Sequence, residues 1–131
     1  LQTDCEWERK NGEYLKKQNP NVKIVGVEPA DSPLLTEGHA GPHGLQGIGA
    51  NFVPSILNTA VLDEVIPVST EDAYAVGRRM GTEEGILAGI SGGAALWAAL
   101  QLAGRPENAG KTIVALLPDS GERYLSTAMY L

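Results

Sequence analysis

The sequence predicts an α/β fold built on a partial parallel sheet with flanking helices. Three observations predict it. Short β-branched runs alternate with helix-patterned segments at the spacing of βα units. Residues 112–117 are apolar almost throughout, the pattern of a strand buried on both faces of a parallel sheet. Gly92 and Gly93 join a short apolar run to a helix that is apolar almost all round, which predicts burial on most of that helix's surface. Three strands are few for a doubly wound sheet and leave strand edges open, so the 131 residues read as part of a larger unit.

The elements follow in order. Residues 5–18 predict a helix, stopped by Asn19-Pro20-Asn21. Val22, Ile24, Val25 and Val27 predict a first strand, ended by Glu28-Pro29. Residues 30–51 have no clean periodicity and five glycines, and a structureless stretch of that length is usually functional. Residues 62–68 predict a second strand, with Pro67 at an edge or end. Ser69 or Thr70 caps the next helix, whose Ala73, Val76 and Met80 share a face. Arg78, Arg79 and Glu83 are expected to be solvated. Ser91-Gly92-Gly93 then turns the chain into a helix over 94–103, with Gly104 after it. The strand at 112–117 ends in the turn Pro118-Asp119-Ser120-Gly121, and residues 122–129 predict a last short helix.

The totals exclude several functions. Sixteen acidic against ten basic residues give a net charge of -6, with no basic cluster, which argues against nucleic acid. No apolar run approaches the roughly 18 residues of a membrane span. The first ten residues are charged and do not read as a signal peptide. Cys5 is the one cysteine, so no internal disulfide framework is available and a cytoplasmic location is expected. Nothing near Cys5 marks it as a nucleophile. His39 and His43 have no third ligand at plausible spacing, so no metal site is expected.

Three segments could carry chemistry. At Gly89–Ala95, two glycines and Ser91 sit where free backbone N–H groups favour an anion or polar acceptor. Ser91 either only caps the helix or faces a cofactor. The loop 41–52 carries His43, Gln46 and Asn51 among its glycines, and is either a flexible connector or a binding loop. It lacks the Gly-Lys-Ser/Thr of a phosphate loop, and Phe52 replaces the third glycine of a dinucleotide fingerprint. Asp119 follows the third strand, where ligands of open α/β sheets bind, or is an ordinary turn residue. Glu28, at the end of the first strand, has the place of a ribose-binding acid, but no glycine fingerprint precedes it.

Taken together, Tyr14–Pro20, Val27-Glu28-Pro29, Gln46-Gly47-Ile48-Gly49, Glu84-Gly85-Ile86 and Pro118–Thr127 resemble the cysteine synthase family, also called O-acetylserine sulfhydrylase. The resemblance covers residues 12–131 and leaves 1–11 unmatched. It implies the larger domain of a fold-type-II pyridoxal 5'-phosphate (PLP) enzyme, of which this chain is the C-terminal half. It implies β-replacement on O-acetylserine by sulfide, giving cysteine and acetate, with the acceptor open to thiosulfate or another nucleophile. Ser91 then meets the pyridine nitrogen of PLP, Pro118 and Asp119 lie near the pyridine edge, and Gln46, Gly47, Ile48 and Gly49 line the substrate side. The family's Schiff-base lysine, its substrate-carboxylate loop and its phosphate loop have no counterpart here. The chain is therefore expected to be inactive alone, with an incomplete cofactor site. The implied partners are a complementary N-terminal half or a second copy. The acidic C-terminal tail of serine acetyltransferase is a further one, and would make the chain a non-catalytic binding module.

Overall fold

A computed structural model describes residues 2–131, with side chains described from Lys10 onward. Helix α1 (Gln2–Gln18) starts earlier than expected and stops just before Pro20, whose ring disfavours a helical residue ahead of it. Cys5 lies outside the described side chains. Gly12 seats α1 on Val61: a Cβ there would lie 3.0 Å from a Val61 methyl. Lys16 donates to Asp63 at 2.6 Å, and the Ile24 N–H donates to the same carboxylate at 2.8 Å. One acid thus ties α1 to the starts of both strands.

Strands β1 (Val25–Pro29) and β2 (Glu64–Val68) pair in parallel, Val25 opposite Glu64 and Pro29 opposite Val68. A parallel pair needs a long crossover. Residues 30–63 supply it without an α-helix, the one regular piece being a 3-10 turn at Thr59–Val61 capped by Asn58.

The third expected strand is a correction. Residues 112–117 pair with no described strand, and Val114 is 87% exposed. Apolar content fits a segment for a buried ladder but does not provide its neighbours, and none of the described residues does. The closing helix expected at 122–129 is also corrected. A 3-10 turn, Gly121–Tyr124, is followed by turns that bury Met129.

Helix α2 (Thr70–Glu84) is capped by Ser69, whose Oγ accepts from the Asp72 N–H at 3.0 Å and donates to Asp72 Oδ2 at 2.7 Å. Helix α3 (Ile90–Ala103) begins before the expected point. Gly89 is its extended N-cap, and the Gly93 N–H already donates to the Gly89 carbonyl at 3.0 Å. Ser91, Gly92 and Gly93 therefore form the first turn of α3, and Ser91 does not cap it.

The two helices meet at backbone distance. A Cβ on Gly93 would collide with the Ala73 carbonyl of α2 and come within 3.4 Å of the Gly77 Cα. Around this crossing lie Leu45, Ile66, Val68, Ile90, Ala94, Ala98 and Met129, all buried. Burial of α3 is confined to this side and to its first turns. Leu100, near the helix's far end, is 45% exposed. Arg79 and Glu83 form an exposed i,i+4 pair, while Arg78 reaches the Met129 carbonyl at 2.9 Å.

Gly93→Ala is expected to lower stability by about 2 kcal/mol, because the added methyl meets backbone. Gly92→Ala is tight only against the end of Leu117, at 3.3 Å, with Ala88 Cβ at an ordinary 3.5 Å, and is expected to change stability by less than about 1 kcal/mol. Urea denaturation of the two variants checks this contrast.

The carboxylates at the amino end of the sheet give a second test. Asp63 is held below its ordinary range by the Lys16 hydrogen bond and then the Ile24 N–H, and Glu64 by the Arg105 guanidinium. Lowered folded values mean stability that is present at neutral pH and lost as pH falls through them. Asp63→Asn is expected to cost roughly 1 kcal/mol at pH 7 and to shrink that difference below pH 4, read from denaturation midpoints against pH.

Candidate active site

The carboxyl ends of β1 and β2 are covered by the loop 41–54. Its base is fixed to α2: the Gly44 N–H donates to Thr70 Oγ1 at 3.2 Å, and Leu45 is fully buried. Its far side rests on the end of β1, where a Cβ on Gly49 would lie 2.5 Å from both Pro29 Cγ and His43 Nε2. Gly49 also has φ +68, a conformation that leaves glycine as the fitting residue. Between base and far side, Gln46 and Gly47 are exposed at the tip.

The tip meets α3. A Cβ on Gly47 would stand 3.4 Å from Ser91 Oγ and 3.6 Å from Ser91 Cβ. Ser91 is itself buried, at 8% exposure. Two segments separated by more than forty residues, the Gln46–Gly49 turn and the Ser91 hydroxyl, therefore form one surface.

The turn at 118–121 closes the same end. Gly121 N–H donates to the Leu87 carbonyl at 2.8 Å, Gly89 N–H donates to the Asp119 carbonyl at 3.2 Å, and Ala88 and Ser120 form a one-residue antiparallel bridge. Asp119 Oδ2 accepts from the Tyr124 hydroxyl at 2.5 Å. Asp119 Oδ1 is buried beside Gly89 and has no hydrogen-bond partner. An unpaired buried carboxylate oxygen is costly, so this atom marks a place suited to a donor. Pro118 is exposed between Leu117, which touches the first turn of α3, and Asp119.

Glu28 is spent elsewhere. Its carboxylate accepts from the Leu35 N–H, the Thr36 N–H and the Thr36 hydroxyl, folding residues 32–37 over the strand end. The ribose-binding reading of Glu28 does not hold, because both oxygens are committed to this turn. Ser32 and Asn51 brace the same region, Ser32 Oγ donating to Asn51 Oδ1 at 2.8 Å. Among the described residues no helix is long and apolar enough to cross a membrane, and no group of three or more His, Cys, Asp or Glu could hold a metal.

Pyridoxal-phosphate dependent enzymes match residues 12–119 of this chain. The chain belongs to that family. Cysteine synthase of Staphylococcus aureus is 53% identical over 119 residues, which is 91% of this chain and 38% of that protein. O-acetylserine sulfhydrylase isoform 3 of Entamoeba histolytica superposes with a TM-score of 0.89 at 53% identity, over 91% of this chain and 36% of that one. The O-acetylserine dependent cystathionine beta-synthase of Helicobacter pylori superposes at 0.84 with 36% identity, over 94% and 40%. The chain thus spans about 38% of the length of the curated relatives it matches. The two-stranded sheet and its helices are part of the cysteine synthase fold, and the absent partners of residues 112–117 accord with that partial span.

His43 and Tyr124 join the candidate residues named from the sequence. The sequence offers His43 as a polar residue of the glycine-rich loop and as one of a histidine pair, but neither signal announces its ring bonds to Leu45 and Gly49. Tyr124 belongs to the Pro118–Thr127 motif but has no role assigned there, since a turn of 3-10 helix is needed to bring it onto Asp119.

Tyr124 provides the test of this corner. Its phenol is held above the ordinary tyrosine range, first by the hydrogen bond to Asp119 and then by burial. A raised folded value means stability that is present below the unfolded value and lost as pH rises through the folded one. Asp119→Asn is expected to bring the Tyr124 ionisation back toward the ordinary range, followed by ultraviolet titration with Tyr130→Phe as background.

Proposed function

We propose that these residues form the C-terminal part of a cysteine synthase-type enzyme. It replaces the acetate of O-acetylserine with sulfide, using PLP, and takes its Schiff-base lysine from outside the 131 residues. The observation that carries the reading is the approach of the Gly47 turn to the buried Ser91 hydroxyl, which a Cβ on Gly47 would meet at 3.4 Å. It supports a site in which one side offers a hydroxyl to a ring nitrogen and the other a glycine turn that admits substrate closely.

The residues present fit one edge of that cofactor. Ser91 offers a neutral hydroxyl to the pyridine nitrogen, which leaves the ring less positive than a carboxylate partner would. Asp119, with its unpaired buried oxygen, and Pro118 border the pyridine edge. Gln46, Gly47, Ile48 and Gly49 line the substrate side, with the exposed Gln46 amide available to a polar substrate group. When bound, PLP supplies the electron sink that lets acetate leave the β-carbon. The phosphate anchor and the lysine are not offered here. Lys10, Lys16 and Lys17 lie on α1, and Lys23 precedes β1. Lys16 and Lys23 gather round Asp63 at the amino end of the sheet. Lys111 lies beyond the far end of α3, its ammonium 3.4 Å from Asn108. Ser91, by contrast, stands with the loop at the carboxyl end. Sulfide is favoured as acceptor because identity is 53% to the cysteine synthase and 36% to the cystathionine beta-synthase.

The test is reductive trapping. The purified chain is incubated with PLP, treated with borohydride and weighed intact. The expected result is no stoichiometric adduct on the chain alone, and an adduct on the complementary chain when an N-terminal part of a cysteine synthase relative is supplied. A stoichiometric adduct on one lysine of these 131 residues would overturn the reading.

A further inference from the structure

His43 is the one titratable side chain inside the substrate-side loop, and the function proposed above gives it no task. Its ring is used twice. The Leu45 N–H donates to His43 Nδ1 at 3.2 Å, so Nδ1 carries no proton. Nε2 then carries it, and donates to the Gly49 carbonyl at 2.8 Å. One imidazole thus joins the residue before the Gln46–Gly49 turn to the residue that ends it. The base of the loop has other holds, the Thr70 hydroxyl on Gly44 and the buried Leu45 side chain. The tip has only a Gln46 N–H to Gly44 carbonyl bond at 3.1 Å, which lies on the base side. Gly47 has φ +100 and exposes its Cα, so no side chain of its own wedges it against α3.

We infer that His43 is a positioning residue: it closes the Gln46–Gly49 turn as a ring and so sets Gly47 against the Ser91 hydroxyl. The inference rests on the reading above for its use in catalysis, but its geometry stands apart from PLP. With the ring bond gone, the Gly49 end loses its tie to the base, and the distance from the glycine turn to Ser91 is no longer fixed. A histidine that only filled space would leave that contact in place whenever the core stayed folded.

Two conservative variants separate the two bonds. Asparagine places an acceptor near Nδ1, and glutamine places a donor near Nε2. The experiment is nuclear magnetic resonance on the isotope-labelled 131-residue chain without cofactor, reading amide exchange and the Gly47-to-Ser91 proton contact. His43→Ala is expected to speed Leu45 amide exchange by about tenfold and abolish the Gly47–Ser91 contact, while amides of α2 and α3 exchange as before. His43→Asn is expected to restore Leu45 protection without the Ser91 contact. His43→Gln is expected to restore the contact without Leu45 protection. If His43→Ala does not fold, the Asn and Gln variants decide the matter alone. A Gly47–Ser91 contact that survives in the Asn variant would overturn the inference, and so would equal loss of protection across α2, α3 and the loop. Expected behaviour of all variants together with no binding of PLP, even beside a complementary chain, would support the positioning role and sink the functional reading instead.

Discussion

Everything at the site depends on how closely α3 can approach α2. Gly93 has no Cβ, and a methyl there would strike the Ala73 carbonyl. Because the helices meet backbone to backbone at this point, the first turn of α3 is drawn into the core, and Ser91 becomes buried while still facing the loop. The loop is in turn anchored on α2 through Thr70 and on the core through Leu45. One steric allowance therefore sets the position of Ser91, and α2 is the shared reference for both halves of the site. The glycine pair that a reader of the sequence takes for a cofactor cradle divides its labour: Gly93 serves helix packing and Gly92 faces Leu117.

The distribution of charge follows the same axis. At the amino end of the sheet Lys16, Asp63, Glu64 and Arg105 form two ion pairs that tie the elements together. At the carboxyl end the polar atoms are the Glu28 carboxylate bonded within its own turn, the His43 ring, hydroxyls and amides, with one unpaired carboxylate oxygen of Asp119. The first end holds the fold, and its pairs are partly exposed and modest in energy. The second end carries a desolvation cost that the described residues leave uncompensated. Such a cost is what a site for a polar ligand entails, and it stands beside Gly89, at the start of the helix that carries Ser91.

Much of this was legible in the sequence, for reasons that differ by element. β1 and β2 were marked by β-branched residues, and the capping residues Ser69 and Thr70 announced the start of α2, because these signals are local. Ser91, Asp119 and the Gln46–Gly49 turn became candidates because several motifs agreed with one family. The start of α3 was misplaced, since a serine outranks a glycine as a cap and only the observed backbone puts Gly89 there. Residues 112–117 were read as a buried strand from composition, yet burial is a property of neighbours, and Val114 stands open to solvent. The Tyr124–Asp119 pair and the His43 ring bonds were out of reach, because each depends on a turn whose geometry the residue types do not announce.

The central claim is that these residues hold the pyridine and substrate sides of a cysteine synthase-type site while the reactive lysine comes from elsewhere. Cysteine formation from O-acetylserine and sulfide tests it most directly, measured with PLP for the chain alone and for the chain mixed with an N-terminal part of a cysteine synthase relative. The account predicts no enzymatic rate from the chain alone, and a rate from the mixture that falls when Ser91 is replaced by alanine. Sustained turnover by the 131 residues alone would contradict it.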